Sequence, residues 1–503
     1  MGSIAGCIDL REWIALLEKA GELHRITARV DWDCEIGTIS RRVLEEQGPA
    51  LLFENVKGHE KTRGRKVFCG GIGTRERLNL ALGFPKTATN NEIVRHVMKK
   101  NREEIQPVLV ADGPVKQNIV KGKDVDLLEF PVPKWHYLEG GRYINTYACI
   151  VTKDPDTGVQ NAGIYRGMVG RKNTIPSLLI KGGQHWGQHF AKYADRGQKM
   201  PVACVIGWDP IMGFLGGSPL PAGVSEFAVL GAYRGEAVKM VKCETVDLEV
   251  PASCEMVIEG FIDPDPAAYE TEGPFAEFTG YVSDLPTPRP TIEVSCIMHR
   301  DDPILRGTQE GNMPGSFSEN AVIPSAQRAG IAWNILNTLG VPGVLDVYCD
   351  PITCGINVYI KITKTYQAQP KQIAAALWGA GAGQGRYKHV FVFEEDIDVS
   401  NYQQIDWALA YRMNASTEGI VQFPGLLGHA LDPSTPLEER DVQQLGAGTW
   451  TRVLFDATRN WHFKRRPEWN NERFPPTVEP HPDHRALVER RWKEYGFKSA
   501  LAE

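Results

Sequence analysis

The residues best suited by type and spacing to do chemistry lie in Glu270-Thr271-Glu272-Gly273-Pro274-Phe275-Ala276-Glu277. In a plain strand, positions 272 and 277 face opposite ways, because an odd offset reverses the side chain. A Gly-Pro bend can bring both carboxylates to one cavity. Two carboxylates crowded into a partly desolvated site can hold one proton near neutral pH, as a general acid must. A neighbouring arginine would keep the other ionised and could grip a substrate carboxylate bidentately. Taken alone, the segment reads better as a solvated acidic turn than as a site, and Asn161, Ile164, Tyr165 and Arg166 read as an ordinary polar strand.

Other motifs carry less. Gln184-His185-Trp186-Gly187-Gln188-His189 spaces two histidines as a zinc-binding helix face would. It lacks the glutamate of H-E-x-x-H, and Gly187 weakens the helix. The run Gly379-Ala380-Gly381-Ala382-Gly383-Gln384-Gly385 has no register matching G-x-G-x-x-G and precedes a strand, so it reads as a flexible connection. Neither a phosphate-binding P-loop nor a Gly-x-Ser-x-Gly nucleophile elbow is present.

Composition narrows the function classes. The 503 residues are 42% hydrophobic and 23% charged, with a net charge of −6. Lys and Arg are scattered and not striped, which argues against a nucleic-acid partner. No apolar run is long enough to span a bilayer, and the first residues lack the pattern of a signal peptide. Ten cysteines without a C-x-x-C pair read as reduced thiols of a cytoplasmic protein.

These candidates must be positioned by a multidomain α/β (α+β) chain. Leu10, Trp13, Ile14 and Leu17 predict an opening helix, followed by a helix over 36–46, a strand at Leu51–Phe53 and a helix over 92–100. This defines an α/β unit over 1–113. Short β-rich runs (147–151, 202–206, 256–260) punctuated by Gly and Pro fill 114–320 and predict a sheet or barrel. Helix and strand alternate again over 321–460, with a helix starting near Ser325. A Pro- and charge-rich tail, 461–503, ends in an amphipathic helix over 487–495 expected to dock on another domain or subunit.

In order, Asn161-Ala162-Gly163-Ile164-Tyr165-Arg166, Gln184-His185, Pro219-Leu220-Pro221-Ala222-Gly223-Val224-Ser225-Glu226 and Glu272-Gly273-Pro274-Phe275-Ala276-Glu277 resemble the UbiD family of reversible decarboxylases. The resemblance runs from the Leu10 helix to Trp407. It implies an N-terminal α/β domain, a central split β-barrel flavin-binding domain and a C-terminal α/β domain that mediates oligomerisation. It also implies prenylated FMN, supplied by a flavin prenyltransferase and held through Mn2+ (or Mg2+), with K+ nearby. Asn161, His185 and Glu226 match the divalent-ion ligands. Ile164, Tyr165, Arg166, Gln184, Ser218 and Pro219 match further cofactor contacts. Arg166, Glu272 and Glu277 match the catalytic set, with Glu277 the proton donor. Losing CO2 from an sp2 carbon leaves an unstabilised anion, so a cofactor must supply the electron sink.

Gly428-His429-Ala430-Leu431-Asp432-Pro433-Ser434 resembles the branch acting on protocatechuate and related hydroxybenzoates. Ile323, Lys364, Phe423 and His429 form the expected substrate pocket, with Lys364 and His429 as partners for phenolic hydroxyls and Phe423 as a stacking wall. His429 reads equally as a satisfied structural residue. A histidine of that branch is here Asn320. The implied reaction is non-oxidative decarboxylation of an aromatic acid such as protocatechuate, gallate or 4-hydroxybenzoate, by a homodimer or homohexamer. The rivals are another aryl, heteroaryl or CoA-linked aromatic acid, an FMN oxidoreductase, and a non-catalytic carboxylase subunit.

Overall fold

The computed structural model describes residues 9–180, 184–217, 220, 223–282, 285–381, 385–440 and 448–497. The first helix, Leu10–Lys19, starts where Asp9 accepts a hydrogen bond from the Glu12 amide at 2.9 Å. It buries Leu10, Trp13, Ile14 and Leu17. Each aliphatic side chain so buried contributes roughly 1.5–3 kcal/mol. Helices Glu35–Glu45 and Asn90–Lys100 follow, the latter opened by a Thr89/Glu92 capping box. The four-stranded sheet between them runs 23–26, 50–53, 66–69 and 304–306. Its last strand, Ile304–Arg306, arrives from far downstream and pairs in parallel with Lys66–Cys69.

The middle of the chain forms a seven-stranded sheet around Met256–Ile262 and Thr291–His299. Met256–Ile262 pairs antiparallel with Met200–Ile206 on one side and with Thr291–His299 on the other. Cys149–Lys153 and Gln160–Ile164 extend the sheet as a hairpin. A separate short ribbon pairs Glu270–Glu272 with Thr287–Arg289.

The C-terminal sheet, ordered 344–348, 357–362, 389–394, 449–456 and 420–427, is covered on both faces, and its central strands are near-continuous apolar runs whose successive side chains enter opposite cores. Val358, Ile360, Val390 and Val392 face a core shared with Trp333, Leu336, Ile373 and Leu377 of helices Glu319–Thr338 and Gln369–Gly379. Tyr359, Phe391 and Phe393 face the opposite core with Ile405 and Ala408 of Tyr402–Tyr411. The rings of Tyr359, Phe391 and Phe455 stack there at 4.9 and 4.6 Å.

Two expectations shift. The long helix begins at Glu319 and not near Ser325, with Pro324 inside it. As the sixth residue it lies past the first turn, so the helix forgoes the bond that an amide there would make to the Asn320 carbonyl. The last helix is Pro482–Arg491, and none of its residues is buried against this chain. None of the described helices is long and apolar enough to cross a membrane.

Candidate active site

Arg166 follows the strand Gln160–Ile164, in a segment held by bonds from the Ile144 and Asn145 amides to the Gly167 carbonyl at 3.1 and 3.2 Å. From there its guanidinium lies between the two carboxylates. Arg166 Nη2 donates to Glu272 Oε2 at 2.9 Å, and Nη1 donates to Glu277 Oε1. All three side chains are nearly closed to solvent, at 7%, 0% and 6% exposure. The bend predicted at Gly273-Pro274 brings the two carboxylates together. Gly273 sits at φ +90°, a backbone angle that L side chains rarely adopt. The Gly140 amide caps the Pro274 carbonyl at 2.9 Å. The face of Phe275 lies 5.0 Å from the Arg166 guanidinium carbon.

Three functional neighbours escaped the sequence reading. Tyr143 Oη donates to Glu272 Oε1 at 2.8 Å and to the Pro274 carbonyl at 3.2 Å. Glu139 accepts from the amides of Trp135 and His136, and burial pushes its carboxyl up to about 7. Glu310 is pushed up to about 8, by burial first and by the charge of Glu277 as well. Asn320 Nδ2 donates to Glu310 Oε1, while Glu310 Oε2 is buried with no hydrogen-bond partner among the described residues. No motif marks these residues, which lie outside the named strands and meet the site only in the folded chain.

Asn161, His185 and Glu226 also converge. His185 Nδ1 and Asn161 Oδ1 lie 2.9 Å apart, and Glu226 Oε2 accepts from the Ala162 amide at 3.0 Å. His185 opens a helix at His185–Asp195, and Glu226 opens another at Glu226–Arg234. Burial pushes Glu226 up to about 7, with no cation among the groups acting on it. A carboxylate buried without a cation is costly, and a divalent ion would supply the missing charge. The oxygen, imidazole and carboxylate donors suit a hard-to-borderline ion, so the set fits. His189 is not part of it; its Nδ1 is taken by Thr152 Oγ1 at 2.9 Å.

Around this set, Tyr165 stacks on Trp186 at 4.5 Å, and Gln184 Oε1 accepts from Trp186 Nε1 and the Ile180 amide. Any Cβ at Gly163 would stand 2.3 Å from Tyr165 Oη, so that close approach requires glycine. Ile164 is half-buried, against Gly216. Ser218 and Pro219 lie outside the described residues, as do 382–384 of the glycine run.

The expected substrate pocket divides. His429 meets Phe278, next to Glu277, edge-on at 5.3 Å. Ile323 is buried in helix Glu319–Thr338. Lys364 and Phe423 do not join them. Lys364 Nζ spends its three donors on Gln367 Oε1, Thr458 Oγ1 and the Arg459 carbonyl at 2.7–2.9 Å, because a buried ammonium must satisfy each N–H. Phe423 is 51% exposed on the edge strand Ile420–Leu427 and packs toward Trp378. A cleft of 460 Å³ lined by Arg75, Phe317, Tyr348 and Tyr402 lies elsewhere and holds none of the predicted residues.

A buried arginine thus joins two carboxylates on a chain of mixed helix and strand. The chain belongs to the 3-octaprenyl-4-hydroxybenzoate carboxy-lyase (UbiD) family: residues 14–97 match its N-terminal domain, 107–313 its Rift-related domain and 322–457 its C-terminal domain. An uncharacterized protein of Archaeoglobus fulgidus is 31% identical, covering 97% of this chain and 98% of its own. The UbiD-class enzyme HmfF from Pelotomaculum thermopropionicum, solved with FMN, superposes with a TM-score of 0.81 at 29% identity, covering 96% and 99%. An evolved dimeric form of HmfF was solved with prFMN. Vanillic acid decarboxylase of Sedimentibacter hydroxybenzoicus, in closed form, gives a TM-score of 0.82 at 27% identity, covering 98% and 99%.

Proposed function

We propose that this enzyme decarboxylates an aromatic carboxylic acid using prenylated FMN, with oxygen-substituted benzoates such as protocatechuate, gallate and 4-hydroxybenzoate the first substrates to test. The observation that carries the reading is Arg166 held between Glu272 and Glu277 in a site closed to water. Asn161, His185 and Glu226 would hold the cofactor phosphate through Mn2+ or Mg2+, with K+ nearby. Ile164, Tyr165, Gln184, Ser218 and Pro219 would contact the cofactor itself. When bound, the cofactor supplies the electron sink that no side chain offers.

The protein's own contribution is positional and acid–base. Arg166 orients the substrate carboxylate, and Glu277 gives a proton to the carbon that CO2 leaves. Tyr143 and Arg166 both hydrogen-bond Glu272, which fixes that carboxylate in place and keeps the guanidinium aimed. His429 Nδ1 accepts from the Leu431 amide at 3.2 Å, so its Nε2 carries the proton and would face a ring oxygen. Hydride transfer by an FMN oxidoreductase needs no such acid pair, and a non-catalytic subunit would have no use for it. The exposed helix Pro482–Arg491 supports a homodimer or homohexamer.

The test is protein co-produced with a flavin prenyltransferase, its absorption spectrum, and CO2 release from a panel of aryl acids. CO2 release that depends on the modified flavin supports the reading. Ordinary FMN that turns over NADH, with no CO2 from any acid, overturns it.

A further inference from the structure

Three carboxyl groups gather where the loop after Pro274 packs against residues 310–312. The Asn312 amide donates to the Phe278 carbonyl at 3.2 Å, and the Gly280 amide donates to the Glu277 carbonyl at 2.8 Å. A Cβ on Gly280 would stand 1.9 Å from the Asn312 carbonyl oxygen, and one on Gly311 would stand 3.4 Å from the Glu277 carbonyl oxygen. The two segments therefore meet backbone to backbone, which holds Glu310 beside Glu277. The Glu310 carbonyl accepts from Arg41 Nη2 at 3.0 Å and from His136 Nε2 at 2.9 Å. Glu139 accepts from the His136 amide at 3.1 Å, which brings the third carboxyl to the same side.

The Glu310 carboxyl is bound at one oxygen. Its Oε1 accepts from Asn320 Nδ2, which also donates to the Thr146 carbonyl at 3.1 Å. Glu310 Oε2, Glu139 Oε1 and Thr279 Oγ1 are buried with no hydrogen-bond partner among the described residues. The titratable and charged groups around Glu310 are Arg41, His136, Glu139, Glu277 and Cys354. Arg41 turns its Nη2 to the carbonyls of Glu310 and Gly311, and burial keeps His136 below its usual range and so neutral. Three carboxylates cannot all stay ionised in so dry a space, so a proton is retained. Burial, and after it the charges of Glu277 and Glu139, keeps that proton on Glu310 up to about 8. A carboxyl poised there both holds a proton at neutral pH and can release it.

We propose that Glu310 is the proton reserve of Glu277, reloading that donor after each turnover without touching the substrate. It is a positioning residue, since it acts only through Glu277. When Glu277 protonates the carbon that CO2 leaves, its O–H bond breaks, a C–H bond forms and Glu277 becomes a carboxylate. The Glu310 O–H bond then breaks and a new O–H bond forms on Glu277, directly or through one water. Glu310 is half-buried where Glu277 is closed off, and it takes its proton back from solvent. One proton enters from solvent per CO2 released, and no electrons change hands. This rests on the decarboxylase reading and adds a residue to it.

The test has two arms on the cofactor-loaded enzyme. Infrared difference spectra across neutral pH should show a protonated carboxyl band that is missing in Glu310→Gln. In Glu277→Gln the same band should titrate at lower pH, because the neighbouring charge is gone. In the second arm, CO2 release from protocatechuate, gallate and 4-hydroxybenzoate is followed with deuterium uptake at the product carbon. Glu310→Gln should lower kcat by about tenfold with KM little changed, less than loss of the donor itself. Its pH profile should lose the limb near 8. Added imidazole buffer should restore part of the rate, and Glu310→Asp should keep more of it than Glu310→Gln. A carboxyl band unchanged in Glu310→Gln, undiminished kcat and deuterium uptake, or a loss of rate that neither imidazole nor Glu310→Asp restores would overturn the proposal. If Glu310→Gln fails to fold, the band in Glu277→Gln and the kcat of Glu310→Asp still decide. CO2 release without such a band sinks the proton reserve alone. A band that responds to Glu277→Gln, with no CO2 from any acid, sinks the decarboxylase reading alone.

Discussion

Arg166 and Glu272, 106 residues apart in the chain, meet at 2.9 Å with both side chains buried. The remaining oxygen of Glu272 is claimed by Tyr143, so the carboxylate is fixed from two sides. Glu277 is bound by the other nitrogen of the same guanidinium. One arginine therefore aligns two carboxylates with different surroundings, Glu272 held also by Tyr143 and Glu277 next to Phe278.

Replacing Glu277 with Gln should preserve the fold and flavin content but lower CO2 release by about 10²-fold or more, the usual weight of a general acid. Deuterium exchange at the product carbon should fall in parallel. Full turnover in this variant would remove Glu277 from the role of proton donor.

Tyr143→Phe removes one hydrogen bond to the buried Glu272. The expected cost is about 1.5–3 kcal/mol of stability, the scale for a bond to a charged group. Thermal denaturation checks the first effect, and a lowered kcat with little change in KM checks the loosened aim of Arg166. An unchanged melting temperature would contradict the geometry.

Glu310 makes stability depend on pH. Its carboxyl is raised from the usual 4.5 to about 8, so the folded chain binds this proton more tightly than the unfolded one. Its contribution is fully present below about pH 4.5 and is lost as pH rises toward 8. Glu310→Gln should flatten the decline of melting temperature across that window. Identical slopes for variant and wild type would show that Glu310 ionises normally.

For the cofactor's metal, His185→Ala and Glu226→Gln should yield protein depleted in flavin and divalent ion, read by flavin extraction and metal analysis. Exhaustive chelation of the wild type should release cofactor in the same way. Normal flavin content in both variants would refute the assignment.

Lys364→Met should act on stability and not on catalysis, because all three ammonium donors are engaged inside the C-terminal domain. Leaving the Arg459 carbonyl without its donor should cost about 1–3 kcal/mol. A raised KM for an aryl acid with an unchanged melting temperature would return Lys364 to the substrate pocket.

Much of the local structure was legible in the chain itself. The spacing of Leu10, Trp13, Ile14 and Leu17 sets a helix face, and the alternation of Val358, Tyr359 and Ile360 sets a strand with two covered faces, because both depend on the backbone's own periods. The Gly-Pro bend also marked the place where Glu272 and Glu277 could share a cavity. By contrast, the sequence alone left Arg166 an ordinary strand residue, since nothing local says that position 166 faces position 272. Tyr143, Glu139 and Glu310 had no signal at all, because Tyr143 meets Glu272 across 129 residues and the two glutamates are raised by burial, which no local pattern reports. Lys364 and Phe423 show the converse: chemically suitable side chains, placed by the fold among Thr458 and Trp378. Residue types and periods determined the elements and the kind of chemistry available. Which groups share a dry space, and so shift one another's protonation, was decided only by the packing of the folded chain.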